Sequence, residues 1–150
     1  MLKRIAAFFQ WLPDDSIPDL EPIKYRHAVV LAFRPDIPSP LSALAVGWLG
    51  KVVLSRGDVD GASMLALRDA CATQRTDIGE LGSHTCDICG EFQDRGEFIV
   101  QANGRTYVLP RMVLRYVEAH GYRPPDTFLS DLLLWAAMER KLSRTKGLSQ

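Results

Sequence analysis

The stretch His84-Thr85-Cys86-Asp87-Ile88-Cys89-Gly90 decides how this 150-residue chain is read. Two of its three cysteines form a C-x-x-C, with a histidine two residues ahead of the first. Downstream, residues 97–102 and 105–109 flank Asn103-Gly104, a strong hairpin signal because both positions tolerate positive φ. A helix over 110–120 follows. Pro110 suits its first turn, Gly121 supplies a left-handed end, and Pro124-Pro125 prevents continuation. Met112, Val113, Tyr116 and Val117 form its apolar stripe, and His120 projects from the same side. An imidazole facing a core needs a partner, since a buried unpaired polar group costs about 1–3 kcal/mol. Four soft or borderline ligands on one compact unit are the number that fills a tetrahedral zinc shell. The expected ligands of a structural zinc ion are therefore His84, Cys86, Cys89 and His120.

Other readings of the same residues stay open. Cys71 falls inside an expected helix over 61–73, as a buried small hydrophobe. Cys71 or a water, rather than His84, is the alternative fourth ligand. His120 could instead serve as a cation at a helix C-terminus, although its inward phase argues against that. A thioredoxin-type pair would need the first cysteine exposed at a helix start within a βαβ unit. Here Gly90 and a hairpin follow. A catalytic zinc would need an open position and a general base, and neither the deaminase pattern nor H-E-x-x-H occurs. A nucleic-acid finger of the two-cysteine, two-histidine class needs about twelve residues between its pairs, against thirty between Cys89 and His120. Arg111 and Arg115 are expected on the outer face of the 110–120 helix, as a solvated pair within reach of a phosphate.

Composition narrows the class. Lysine plus arginine and aspartate plus glutamate number 18 each, so no global field draws the chain to nucleic acid or an anionic membrane. The apolar and charged fractions, 47% and 24%, are those of an ordinary globular protein. The longest apolar runs, 28–33 and 132–138, fall far short of the ~20 residues that span a bilayer. Lys3-Arg4 before Ile5–Phe9 imitates a secretory signal, but Gln10 and Trp11 interrupt it and no small-x-small site follows. A cytoplasmic location is expected, and the cysteine usage fits a reducing compartment.

Along the chain, Ile5, Phe8, Phe9 and Leu12 give an amphipathic helix over 2–12. Strands are expected at 28–33 and 44–49, with Val52–Leu54 as a further candidate. A loop is expected at 34–40, which holds three prolines. Asp58 or Asp60 caps the helix over 61–73, whose apolar side is Met64, Leu65, Leu67, Ala70 and Cys71. Asp126 or Thr127 caps a last helix reaching about Leu142, and 143–150 is a basic tail. The expected fold is α+β, a small sheet with packed helices stabilised by a zinc unit of knuckle, β-hairpin and helix. The boundaries read as one domain over 1–150: an N-terminal helix and linker at 1–16, a body at 17–142 containing the zinc unit at 82–125, and the tail.

Four phrases occur in order: Pro18-Asp19-Leu20-Glu21-Pro22 with Tyr25, Val46-Gly47-Trp48-Leu49, Gly82-x-His84-x-Cys86-x-x-Cys89, and His120-Gly121-Tyr122-Arg123-Pro124-Pro125. Together they resemble an uncharacterised bacterial family of small, zinc-binding proteins with no assigned activity. The resemblance covers about residues 18–131. Residues 1–16, the 34–40 loop and Lys51-Val52-Val53-Leu54 depart from it. It implies the metal site and leaves function open.

The functional expectation is a non-enzymatic, zinc-stabilised protein-interaction module, accessory or immunity-type. The rival is a metal-dependent enzyme of unknown substrate, and nucleic-acid binding is the third reading. The last helix carries Phe128, Leu129, Leu132, Leu133, Leu134, Trp135 and Met138 around more than one face. Trp135 is the expected anchor for a protein partner or a second copy.

Overall fold

The computed structural model describes residues 16–23, 42–50, 53, 55–74, 83–86 and 88–148. The expected helix over 2–12, the strand over 28–33 and the proline-rich loop lie outside the described residues, as does most of Val52–Leu54. Among the described residues the chain is α+β, with three helices, one three-stranded mixed sheet and a separate two-stranded hairpin.

The centre is the hairpin of β4 (Glu97–Ala102) and β5 (Arg105–Pro110), turned by Asn103 and Gly104, both at positive φ. Its period-2 alternation has two apolar faces. Phe98, Val100, Tyr107 and Leu109 meet the helices, while Ile99 and Val108 pack with Ile17, Ile23, Ala43, Ala45 and Trp48. Pro110 ends β5 opposite Glu97 rather than opening the next helix. A residue without an N–H is tolerated at such a strand end. β1 (Leu44–Ala45) lies parallel to β5, in register Leu44 with Tyr107. The expected strand over 44–49 is thus two residues long, and Gly47, at φ 78°, turns the chain out of it.

Helix α1 (Gly61–Thr73) starts where Asp60 accepts the Ser63 N–H at 2.8 Å. It buries Ser63, Ala66, Leu67, Ala70 and Cys71, so Leu65, expected on the apolar side, is 60% exposed. Helix α2 runs Val113–His120 and ends at Gly121 in the left-handed region. Helix α3 runs Asp126–Leu148, six residues beyond the expected end at Leu142. Arg140, Lys141 and Lys146 are good helix formers, and Thr145 returns its hydroxyl to the Lys141 carbonyl at 3.0 Å. Phe128 stacks edge-on against Tyr107, and the buried Asp131 accepts from the Tyr107 hydroxyl at 2.5 Å and from Arg105 at 3.0 Å. Trp135 is 7% exposed and belongs to the core, so the exposed apolar residues of α3 are Leu133, Leu134, Met138 and Leu142.

Three of the four sequence phrases converge at one place. Residues 16–23 run beside β1, with the Leu20 N–H on the Ala45 carbonyl and the Ile23 N–H on the Ala43 carbonyl. Asp19 then accepts from the Gly47 N–H at 3.0 Å and from the Tyr122 hydroxyl at 2.7 Å. Gly47 is needed for closeness as well as for its φ: a Cβ there would lie 2.6 Å from Cγ2 of Val113, the first residue of α2. Trp48 closes the opposite side by donating its indole N–H to the Val108 carbonyl at 2.9 Å. Among the described residues, no helix is long and apolar enough to cross a membrane.

Candidate metal centre

The fourth phrase builds a different object. β2 (Ser83–Thr85) and β3 (Gln93–Arg95) pair antiparallel, in register His84 with Asp94. This hairpin is absent from the expected elements, because its strands are three polar residues each and carry no apolar alternation. Its turn is held by the backbone: the Gly90 N–H reaches the Cys86 carbonyl at 2.7 Å, and the Cys86 N–H reaches the Phe92 carbonyl at 2.8 Å. Such a tight turn brings residues 86 and 89 to one side, which is why C-x-x-C spacing suits a metal.

The histidine comes from the end of α2. His120 is the last residue of that helix, and its Nε2 lies 3.3 Å from the Cys86 Sγ. Ligand atoms of Cys86, Cys89 and His120 all lie within 4.8 Å of one another. In a tetrahedral site with metal–sulfur bonds of about 2.3 Å and metal–nitrogen bonds of about 2.05 Å, neighbouring S and N atoms are about 3.6 Å apart. The three side chains can therefore hold a metal ion with little movement. Cys86 is wholly buried, while Cys89 and His120 are half-buried.

Electrostatics favour the ligating form of Cys89. The Glu91 backbone N–H, aided by Cys86, His120 and Arg115, pulls its thiol down to about 6 from an ordinary 9.0, against the effect of burial. That lowering favours the thiolate, the form that binds metals.

Arg115 is a residue beside the cluster that sequence reasoning misplaced. It does not project freely from α2: its guanidinium lies over the Phe92 ring, 5.3 Å from the centroid, with Nη2 3.9 Å from the Cys89 Sγ. Arg111 is likewise turned inward. It lies 3.8 Å from Asp94, and contact with Cys71 raises its pKa. The local signal for Arg115 was Phe92, an aromatic platform directly after the knuckle, but contact between the two depends on tertiary structure.

Of the four expected ligands, the structure brings together Cys86, Cys89 and His120. His84 lies in β2, two residues before Cys86, and its side chain is outside the described residues. Cys71 is buried in the core on α1 and is not part of the cluster.

No curated protein and no solved structure matches the chain significantly. Asp19, Gly47, Cys86, Cys89, His120 and Tyr122 all lie within residues 15–133, the span matched by the model of a domain of unknown function (DUF7919), and the chain belongs to that family.

Proposed function

We propose that the domain is a non-enzymatic, zinc-stabilised interaction module, with Cys86, Cys89 and His120 as three zinc ligands and His84 as the fourth. The observation that carries the reading is the cluster of two thiols and an imidazole with ligand atoms within 4.8 Å. Two sulfurs with a nitrogen suit zinc better than the oxygen-seeking magnesium or calcium. His84 enters because only Thr85 separates it from Cys86. Two thiolates and two imidazoles would close the shell, and a closed shell marks a structural site.

The test is metal content with coordination. Protein purified without chelators should carry about one zinc per chain, and its cobalt-substituted form should show a spectrum that added azide leaves unchanged. Absence of stoichiometric metal would sink the site. A cobalt spectrum that shifts on azide would reveal an exchangeable position and favour the rival, a metal-dependent enzyme.

The interaction half of the reading rests on α3. Phe128, Trp135 and Leu142 keep seven-residue spacing, so the apolar stripe that is buried at Phe128 and Trp135 continues through exposed Met138 and Leu142. Residues 137–147 are exposed. The proposed occupant is a second copy of the chain, whose identical stripe is complementary across a two-fold axis. Met138→Lys should then halve the solution mass while leaving zinc content unchanged. A wild type that stays at the mass of one chain at about 100 µM would remove this surface from the reading.

A further inference from the structure

The clasp around Asp19 and the metal centre meet at one helix end. His120 is the last residue of α2, Gly121 follows it in the left-handed region, and Tyr122 returns its N–H to the Tyr116 carbonyl at 3.0 Å. Tyr122 is fully buried, and its hydroxyl donates to Asp19 at 2.7 Å. Asp19 also holds Gly47, which is packed against Val113 at the opposite end of α2. Residues 16–23 therefore secure both ends of the helix that carries the histidine. The two cysteines come from elsewhere, on the turn between β2 and β3.

We infer that Tyr122 is a positioning residue of the metal centre and that metal occupancy is thermodynamically coupled to the docking of residues 16–23. The inference rests on the zinc reading above and adds a means of control to that site. Metal binding requires His120 at a set distance from two sulfurs carried by a separate hairpin. The Asp19 hydrogen bond narrows the positions available to α2, so the ion binds more tightly when the clasp is closed. Coupling between two sites is reciprocal, and changes in affinity of about 5–150-fold are typical. The bound ion should accordingly hold residues 16–23 against the sheet.

The structure contains its own control. Tyr107 and Asp131 form a second buried tyrosine–carboxylate pair, and neither belongs to α2 or to the knuckle. Tyr122→Phe and Tyr107→Phe each remove one hydroxyl from such a pair. Zinc affinity is measured by competition with a chromophoric chelator on the full chain. Tyr122→Phe should weaken it about tenfold, and Tyr107→Phe should leave it within about twofold. Asp19→Ala should weaken it at least as much as Tyr122→Phe, while Asp19→Asn, which keeps an acceptor for the Gly47 N–H, should recover most of the loss. In the wild type, zinc removal should speed amide exchange at Leu20, Ile23 and Gly47, a measurement that needs no variant to fold. Equal zinc affinity for wild type and Tyr122→Phe, or unchanged exchange at those three amides on zinc removal, would overturn the coupling and leave the zinc reading intact. A wild type that binds no zinc at all would overturn both.

Discussion

Two hairpins lie next to each other in the chain and differ in how much of themselves they bury. In β4 and β5, nine of twelve positions are buried, and the pair contributes to both apolar clusters. In β2 and β3, Thr85 and Gln93 face each other across the ladder and both are exposed. A short two-stranded hairpin is marginal in water unless it packs on something. The first hairpin is held by apolar burial along both strands, whereas the second is anchored only at its turn, where Cys86 enters the core and joins Cys89 and His120 in a cluster that could hold a metal ion. Where a segment is too polar to bury, a few ligands can supply the stability that many methylenes would otherwise provide.

The largest expected effect tests the second hairpin. Cys86→Ser should abolish metal binding and leave little soluble protein, because zinc binding to ligands that are unorganised in the unfolded chain is itself folding energy. In the wild type, chelation should raise amide exchange across residues 83–95 long before residues 97–110. Equal loss of protection in both hairpins would erase the distinction between them.

Next comes the first hairpin. Phe98 is fully buried, and Phe98→Ala should cost about 3–5 kcal/mol in denaturant unfolding. Zinc per folded chain should stay constant. Loss of zinc stoichiometry in that variant would show that the hairpins are one cooperative unit.

Cys71 separates the roles of the cysteines. It is buried against the apolar core and touches Arg111, and it is outside the metal cluster. Cys71→Ser should shift stability by about 1–2 kcal/mol and leave metal content unchanged. Zinc loss on that change would make Cys71 a ligand.

The smallest effect is a pH slope. Burial raises the Asp19 carboxyl above its ordinary 3.8, against the lowering influence of Gly47 and Tyr122. Just above 3.8 the folded chain still holds a proton that the unfolded chain is losing. The contribution is full below the unfolded value and is lost as pH rises through the raised one. Relative to wild type, Asp19→Asn should therefore gain stability as pH rises above the ordinary carboxyl value of 3.8, read from urea midpoints. A difference independent of pH would place no titration at Asp19.

What was legible from sequence followed local physics. Asn103-Gly104 marked a turn, Asp58 or Asp60 marked the start of α1, and Gly121 marked the end of α2 beside His120, so the central hairpin, two helices and the three residues of the Cys86–Cys89–His120 cluster could be read from local pattern. What was missed depended on partners distant in sequence. Trp135 and Leu134 are adjacent on a helix apolar on several faces, and only packing decides that the first is buried while the second is half exposed. Arg115 looked solvated until Phe92 and Cys89 came under it. Pro110 carried a helix-start signal, which pairing with Glu97 overrode.

The Asp19–Tyr122 hydrogen bond spans 103 positions of the chain, and this sets a timetable for synthesis. Ribosomes add about 5–20 residues per second, so residues 16–23 leave the tunnel roughly 5–20 s before the tyrosine that secures them. The hairpin at Asn103-Gly104 closes within about 1–10 µs of becoming available. During the interval Ile17 and Ile23 have no β5 to lie beside, and they are candidate contacts for a chaperone on the nascent chain. The first described segment to emerge is then among the last to find its place.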